Sequence, residues 1–342
     1  MNAAGASTPH DGASGAVTEH GGRLAAARLL FPGAPEPFLD LSTGINPVPY
    51  HLPRFPADAF TRLPEPEALW ELQSISAAAY GAASPEMVAA APGTQVLISL
   101  LPHLLPWRDV AVLGPTYAEH ALSWRAAGAR VTETEDPGEL ARHEVAVLCN
   151  PNNPDGRRHD RAALAALAAR VRLLVVDESF ADFDGPERNA APLLPRPDLL
   201  VLRSFGKSYG LAGLRIGFAI STPEISDDLR RVATPFTVTT LAQQAAIASL
   251  AAEDELNERV NRIVAERTRV FDELTRQGWK IVPSQANFLW LATGDDTDRI
   301  DEVMVSHGVF ARCWSEEGIR LSIGLDAEND RAIEALSQAV KG

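Results

Sequence analysis

The chain has 342 residues, 46% of them hydrophobic, which is enough for a large core and suggests about two domains. A formal charge of −14 at pH 7 argues against nucleic acid as partner and leaves any anion to be bound by a few local arginines. The two cysteines, Cys149 and Cys313, give neither a disulfide framework nor a zinc site and fit a reducing cytoplasm; no apolar run nears the roughly 20 residues that span a bilayer, and no export signal opens the chain.

Residues 1 to 19 are small and polar without periodicity, the composition of a loose tail. His20, Gly21, Gly22 and Arg23 lead into an alanine-rich stretch to Leu30 that reads as a short helix, and Asp40 to Tyr50, broken by two prolines, reads as extended loop. Leu69, Leu72 and Ile75 have helical spacing within Glu67 to Tyr80. Pro92-Gly93-Thr94-Gln95 opens a second helix. Its glycine turn is either an anion cradle at a helix N-terminus or a plain helix start with Thr94 as cap.

Short β-branched runs then alternate with helical stretches: Val110 to Leu113, Val145 to Leu148, Leu173 to Val176, Leu199 to Leu202 and Ile216 to Ile220. This is the pattern of a mostly parallel sheet with helices on its faces, in which ligands gather at the carboxyl ends of strands. Beyond about Thr234 the pattern turns to helices followed by strand runs at Ala286 to Leu291, Val309 to Cys313 and Ile319 to Ile323, an α+β unit. The expected division is a tail and arm over 1–40, a large domain over 41–235 and a small domain over 236–342.

The organising stretch is Arg203 to Phe218, where Lys207 stands among Gly206, Gly210, Gly213 and Gly217, with Arg215 eight positions on. A lysine in such a turn is placed to have its pKa lowered and to form a Schiff base with an aldehyde, of which pyridoxal phosphate is the common biological example. Ser204 and Arg215 would hold the phosphate. Asp177, ending the 173–176 run thirty positions before Lys207, would keep a pyridine nitrogen protonated or, read alone, cap a helix. Asn153 offers an amide to a phenolate oxygen and Tyr117 a ring to stack; each reads equally as a turn asparagine and a packed tyrosine.

Asn150-Pro-Asn-Asn-Pro-Asp-Gly156, then Asp177-Glu-Ser-Phe180, then Ser204-Phe-Gly-Lys207 with Gly213-Leu-Arg-Ile-Gly217 closely resembles the class I/II aminotransferases, the fold type I pyridoxal phosphate enzymes. The resemblance runs from about residue 20 to the end. It implies an α/β fold, with a mostly parallel sheet of seven-stranded type between helices plus a smaller C-terminal domain, a homodimer, and pyridoxal 5'-phosphate as cofactor. Position by position it implies Lys207 as the Schiff-base lysine, Asp177 on the ring nitrogen, Asn153 on the phenolate oxygen and Tyr117 over the ring. Ser204, Arg215, Gly93 and Thr94 would hold the phosphate, and Arg320 the substrate carboxylate.

Two branches of the family look nearest: histidinol-phosphate aminotransferase, and the L-threonine-O-3-phosphate decarboxylase of cobalamin biosynthesis. His20-Gly21-Gly22, Leu41-Ser-Thr-Gly-Ile-Asn46-Pro and Phe180, where many relatives have tyrosine, resemble the decarboxylase. The expected substrate is a phosphorylated amino acid, with His20, Gly21, Asn46, Asn153, Arg312 and Arg320 about it in an interdomain cleft. Arg312 as a surface ion pair and His20 as a tail residue are the blander alternatives. Two departures from the family stand out: Leu63-Pro-Glu-Pro in place of a Tyr-Pro pair, and Gly206 in place of a Ser or Thr before the lysine.

Overall fold

A computed structural model describes residues 21–185, 189–233 and 236–341. Its main feature is a seven-stranded sheet in the order Val88–Ala91, Gly217–Ile220, Leu199–Ser204, Leu173–Asp177, Val145–Cys149, Asp109–Leu113, Arg130–Thr134. The last five strands run parallel. The 217–220 strand is antiparallel to both of its neighbours.

The central runs are apolar throughout because both of their faces are covered. Ala111, Ala146, Leu148, Leu174, Val176 and Val201 point into one core layer, which also takes Leu72 and Ala77, Leu164, and Ala242 and Ala246. These come from helices Pro66–Tyr80, Arg161–Ala168 and Thr240–Leu250. The alternate residues Val110, Val112, Val145, Val147, Val175 and Leu200 enter the opposite layer, against Leu97 and Ile98, Trp124, and Leu229. Helices Thr94–Leu104, Glu119–Ala126 and Pro223–Val232 supply that layer.

Two strands of this sheet have no counterpart in the sequence pattern. Val88–Ala91 is mostly alanine, a helix former, yet lies fully buried against the 217–220 strand. Arg130–Thr134 is a partly exposed edge strand, so it carries no apolar run.

The chain divides into two compact units: Ile45–Val264 with Ser284–Ala286, and the described part of Met1–Gly44 with Ala265–Pro283 and Asn287–Gly342. This differs from the expected bounds near 40 and 235. The change comes later than the composition shift because Ala242, Ala246 and Leu250 share a core with Leu72 and Ala77. Residues 21–44 join the second unit because Leu39–Asp40 pairs in parallel with Val309–Phe310. That unit also holds a four-stranded antiparallel sheet, Arg312–Trp314, Gly318–Ser322, Phe288–Leu291 and Ile281–Val282 in order, packed by helix Thr297–Ser306.

Trp124, 2% exposed, anchors helix Glu119–Ala126 on the sheet. Replacing it by alanine leaves a cavity, and Trp124→Ala is expected to cost about 3–5 kcal/mol of unfolding free energy, read by urea denaturation. A loss below about 1 kcal/mol would contradict this account of the packing.

Candidate active site

The parallel strands bring their carboxyl ends side by side. Register sets Cys149 opposite Asp177 and Asp177 opposite Leu202, so three strand ends stand abreast. Asp177 is 4% exposed, and each of its oxygens is hydrogen-bonded. Oδ2 lies 3.0 Å from His120 Nε2, and Oδ1 accepts from the Ser179 backbone N–H at 2.9 Å and hydroxyl at 2.5 Å. Burial alone would raise the carboxyl's pKa, but the hydrogen bond and charge of His120, with Ser179, outweigh it and hold the pKa below the usual range. Burial likewise works against protonation of His120, and Asp177 together with Cys149 overcomes it, raising the imidazole to about 10. The pair is therefore a buried imidazolium and carboxylate at neutral pH. His120 was not foreseen from the sequence; the available signal was its place three residues after Tyr117, on the same side of the chain's next turn.

Lys207 sits in the short helix Phe205–Ser208, directly after the 199–204 strand. A Cβ on Gly206 would lie 2.7 Å from Ala212 Cα, which explains the glycine before the lysine. The backbone about the lysine is held from several sides. Asn46 N–H donates to Lys207 O at 2.9 Å, Asn46 Nδ2 donates to Ser208 O at 2.9 Å, and Ser208 Oγ donates to Asp182. Asp182 in turn accepts from Arg203, a buried guanidinium that also donates to Glu178 at 3.1 Å and Asn189 at 3.2 Å and lies 4.6 Å over the Tyr80 ring. Lys207 Nζ stands 5.5 Å from the Phe180 ring centroid.

A cradle lies beyond the lysine. Gly93, with φ of 88°, starts helix Thr94–Leu104, and a Cβ there would come within 2.7 Å of Arg215 Nη2. One on Gly217 would stand 2.3 Å from the Thr94 nitrogen. Ser204 pairs with Gly217 in the sheet, so Gly93, Thr94, Ser204 and Arg215 are brought together, with backbone N–H groups and a guanidinium converging. Tyr117 is half-buried; its hydroxyl donates to Gln95 Oε1 at 2.9 Å and its ring meets His120 edge-on at 6.0 Å. Asn153 is buried in a loop pinned by Asn152 Nδ2 donating to Asp155 at 2.8 Å and by Thr116 Oγ1 donating to Asn152 at 2.7 Å.

The remaining expected residues divide differently. Asn46 gives both ends of its amide to local backbone, to Ser208 O and from Val48 N–H at 3.0 Å, so its duty here is to the lysine loop. Arg312 and Arg320 belong to the other unit and are direct cross-strand partners. Arg320, 2% exposed, donates to Ser42 O and lies 5.0 Å from the Phe288 ring centroid. Burial and the neighbouring Arg312 pull its pKa down to about 9, offset in part by Asp40. Such a guanidinium favours an anion beside it. A Cβ on Gly21 would meet Ser42 O at 2.6 Å, and Gly22 N–H donates to Ser42 Oγ at 3.0 Å, which ties the glycine pair to the residue that Arg320 grips. His20 lies outside the described residues.

The family model for aminotransferase class I and II matches residues 57–336. The chain belongs to that family. An aromatic amino acid aminotransferase of Cutibacterium acnes is 57% identical over 326 residues, 90% of this chain and 91% of that one. A threonine-phosphate decarboxylase of Pseudomonas aeruginosa is 36% identical over 319 residues, 91% and 94% of the two chains. A solved histidinol-phosphate aminotransferase of Sinorhizobium meliloti, in complex with pyridoxal-5'-phosphate, superposes with a TM-score of 0.80 at 22% identity over 98% of each chain.

This class I and II aminotransferase relative is a pyridoxal 5'-phosphate enzyme. The residues present fit the cofactor: the cradle between Gly93 and Arg215 is one that any Cβ would fill, and Asp177 is a buried carboxylate kept charged. Bound pyridoxal phosphate supplies an electron-accepting ring.

Asp177→Asn removes the charge while keeping the shape, and kcat is expected to fall by about 100-fold or more with folding intact, the scale of losing one preorganised electrostatic contact. Steady-state kinetics beside circular dichroism measures it; near-normal turnover would contradict the role. His120 gives a separate expectation. Its folded pKa lies above its ordinary value of 6.5, so its stabilisation is complete below pH 6.5 and is lost as pH rises toward about 10. In denaturation curves across that window the wild type should lose stability more steeply than His120→Asn, and parallel curves would show that the imidazole is not charged.

Proposed function

We propose that this enzyme decarboxylates L-threonine O-3-phosphate to (R)-1-amino-2-propanol O-2-phosphate, the phosphorylated linker used in cobalamin biosynthesis. The carboxylate leaves as CO₂ and a proton takes its place on Cα. The observation that carries the reading is the pairing of Arg312 with Arg320 on neighbouring strands of one sheet. Two guanidinium groups side by side repel, and a substrate with a carboxylate and a phosphate offsets that repulsion. The 36% identical decarboxylase, matched over nearly its whole length, supports the same reading.

In this reading Lys207 carries the cofactor and moves the proton, Asp177 faces the ring nitrogen, Asn153 the phenolate oxygen, and Tyr117 the ring. Gly93, Thr94, Ser204 and Arg215 hold the cofactor phosphate. Arg320 takes the substrate carboxylate, while Arg312, with His20 and Gly21, takes its phosphate. The proposal includes a homodimer, which fits the exposed apolar side chains of Leu63 and Phe236. It also includes a reducing cytoplasm, in which Cys149 and Cys313 stay unpaired.

A second reading, transamination of an aromatic amino acid, is favoured by the 57% identical relative. The aromatic substrate carries one carboxylate and an apolar ring, so in that reading a second guanidinium serves only the dicarboxylate co-substrate. Histidinol-phosphate transamination rests on structural neighbours below 25% identity, which carry the fold alone.

Purified holoenzyme given O-phospho-L-threonine should release CO₂, and given phenylalanine with 2-oxoglutarate should form little glutamate. Arg312→Ala should raise KM for the phosphorylated substrate by about 10-fold or more, the scale of a charged hydrogen bond. Glutamate formed rapidly from phenylalanine, without CO₂ from the phosphoamino acid, overturns the proposal in favour of the second reading.

A further inference from the structure

One face of the four-stranded sheet carries an unusual row. Register sets Trp290 opposite Arg320 and Arg320 opposite Arg312, and direct cross-strand partners share a face. Trp314, two residues after Arg312, lies on that face too, opposite Gly318. The glycine is required there, since a Cβ would stand 2.5 Å from Trp290 Cζ2. The space so left lets the Trp290 indole lie against Trp314, with ring centroids 5.3 Å apart at 71°. The Arg312 guanidinium carbon is 4.7 Å from the centre of the Trp314 ring.

Like charges directly opposite across a sheet repel, and a half-exposed arginine on an outer strand has rotamers that lead away from its partner. The face of an indole attracts a guanidinium and fixes its plane. Trp314 is fixed in turn by Trp290, whose own position depends on the bare Gly318. Arg320 has a matching support in the Phe288 ring, so each guanidinium of the pair rests on an aromatic ring.

We infer that Trp314, braced by Trp290, is a specificity-determining positioning residue: it holds Arg312 beside Arg320 so that the pair accepts a phosphorylated amino acid over an unphosphorylated one. The inference rests on the proposed reading that the substrate carries a second anionic group. It says that specificity for phosphate is set by an aromatic ring that itself makes no bond to the phosphate.

The test compares wild-type holoenzyme with Trp314→Leu and Trp314→Phe. With O-phospho-L-threonine, Trp314→Leu is expected to raise KM by about 5-fold or more, the loss appearing in KM rather than kcat, and Trp314→Phe is expected to restore most of the affinity. Inorganic phosphate, as a competitive inhibitor of whichever substrate is turned over, should weaken in parallel in Trp314→Leu. Should the leucine variant fail to fold, tryptophans of increasing fluorination at position 314 keep the shape while weakening the ring's attraction for cations, and phosphate inhibition should weaken stepwise along that series. An unchanged inhibition constant in Trp314→Leu, or a flat response along the fluorinated series, overturns the inference. If the enzyme transaminates aromatic amino acids instead, the decarboxylase reading falls, and the phosphate inhibition constants still decide the role of Trp314.

Discussion

A carboxylate taken out of water tends to pick up a proton, and a site that needs it ionised has to supply the compensation from nearby. Asp177 receives it from the His120 imidazolium at 3.0 Å and from two donors of Ser179. Much of the large unit can be traced to that requirement. The 173–177 strand has to be buried on both faces to exclude water, the helix carrying His120 has to lie on one of them, and Trp124 seats that helix. A fold with the same sheet but a solvated strand end would also keep the carboxylate ionised at neutral pH, but water would screen its charge from anything bound beside it.

The lysine presents the opposite difficulty, a flexible side chain that has to arrive at a defined place. The structure controls the backbone beneath it. Asn46 binds the carbonyls of both Lys207 and Ser208, and Asp182 joins Ser208 to the buried Arg203. Arg203 is 2% exposed with Glu178 and Asp182 as counter-charges, so removing both acids would strand a cation in the core. The Arg203 side chain comes from the 199–204 strand, next in the sheet to the strand that ends at Asp177.

The sequence was most informative where local pattern and burial coincide. The runs at 110–113, 145–148, 173–176 and 199–202 are covered on both faces and therefore apolar throughout, and Tyr117, Asn153, Asp177 and Lys207 stand at or just beyond their carboxyl ends. The Val88–Ala91 strand was hidden because small residues suit a crowded sheet and a helix alike, and Arg130–Thr134 because an edge strand needs few apolar residues. His120 was hidden for another reason: its meaning depends on Asp177, 57 positions away, and its spacing from Tyr117 was the one local trace of it. The unit boundary at Val264 likewise depends on long-range packing of alanines in the 240–250 helix, which composition does not report.

The anion cradle has a consequence for how the chain is made. Gly93 and Thr94 come from the start of the large unit, whereas Ser204, Arg215 and Gly217 follow more than a hundred residues later, and the antiparallel 217–220 strand is inserted between Leu199–Ser204 and Val88–Ala91. Contacts so distant along the chain are formed late, because the loop between them has to be closed first. On the ribosome, a nascent chain that has not yet released this strand therefore has the lysine, emerged at position 207, but no grip for the cofactor's phosphate. Capture of the cofactor thus waits for the last strand of the sheet, with helices Pro223–Val232 and Thr240–Leu250 of the large unit still to follow it.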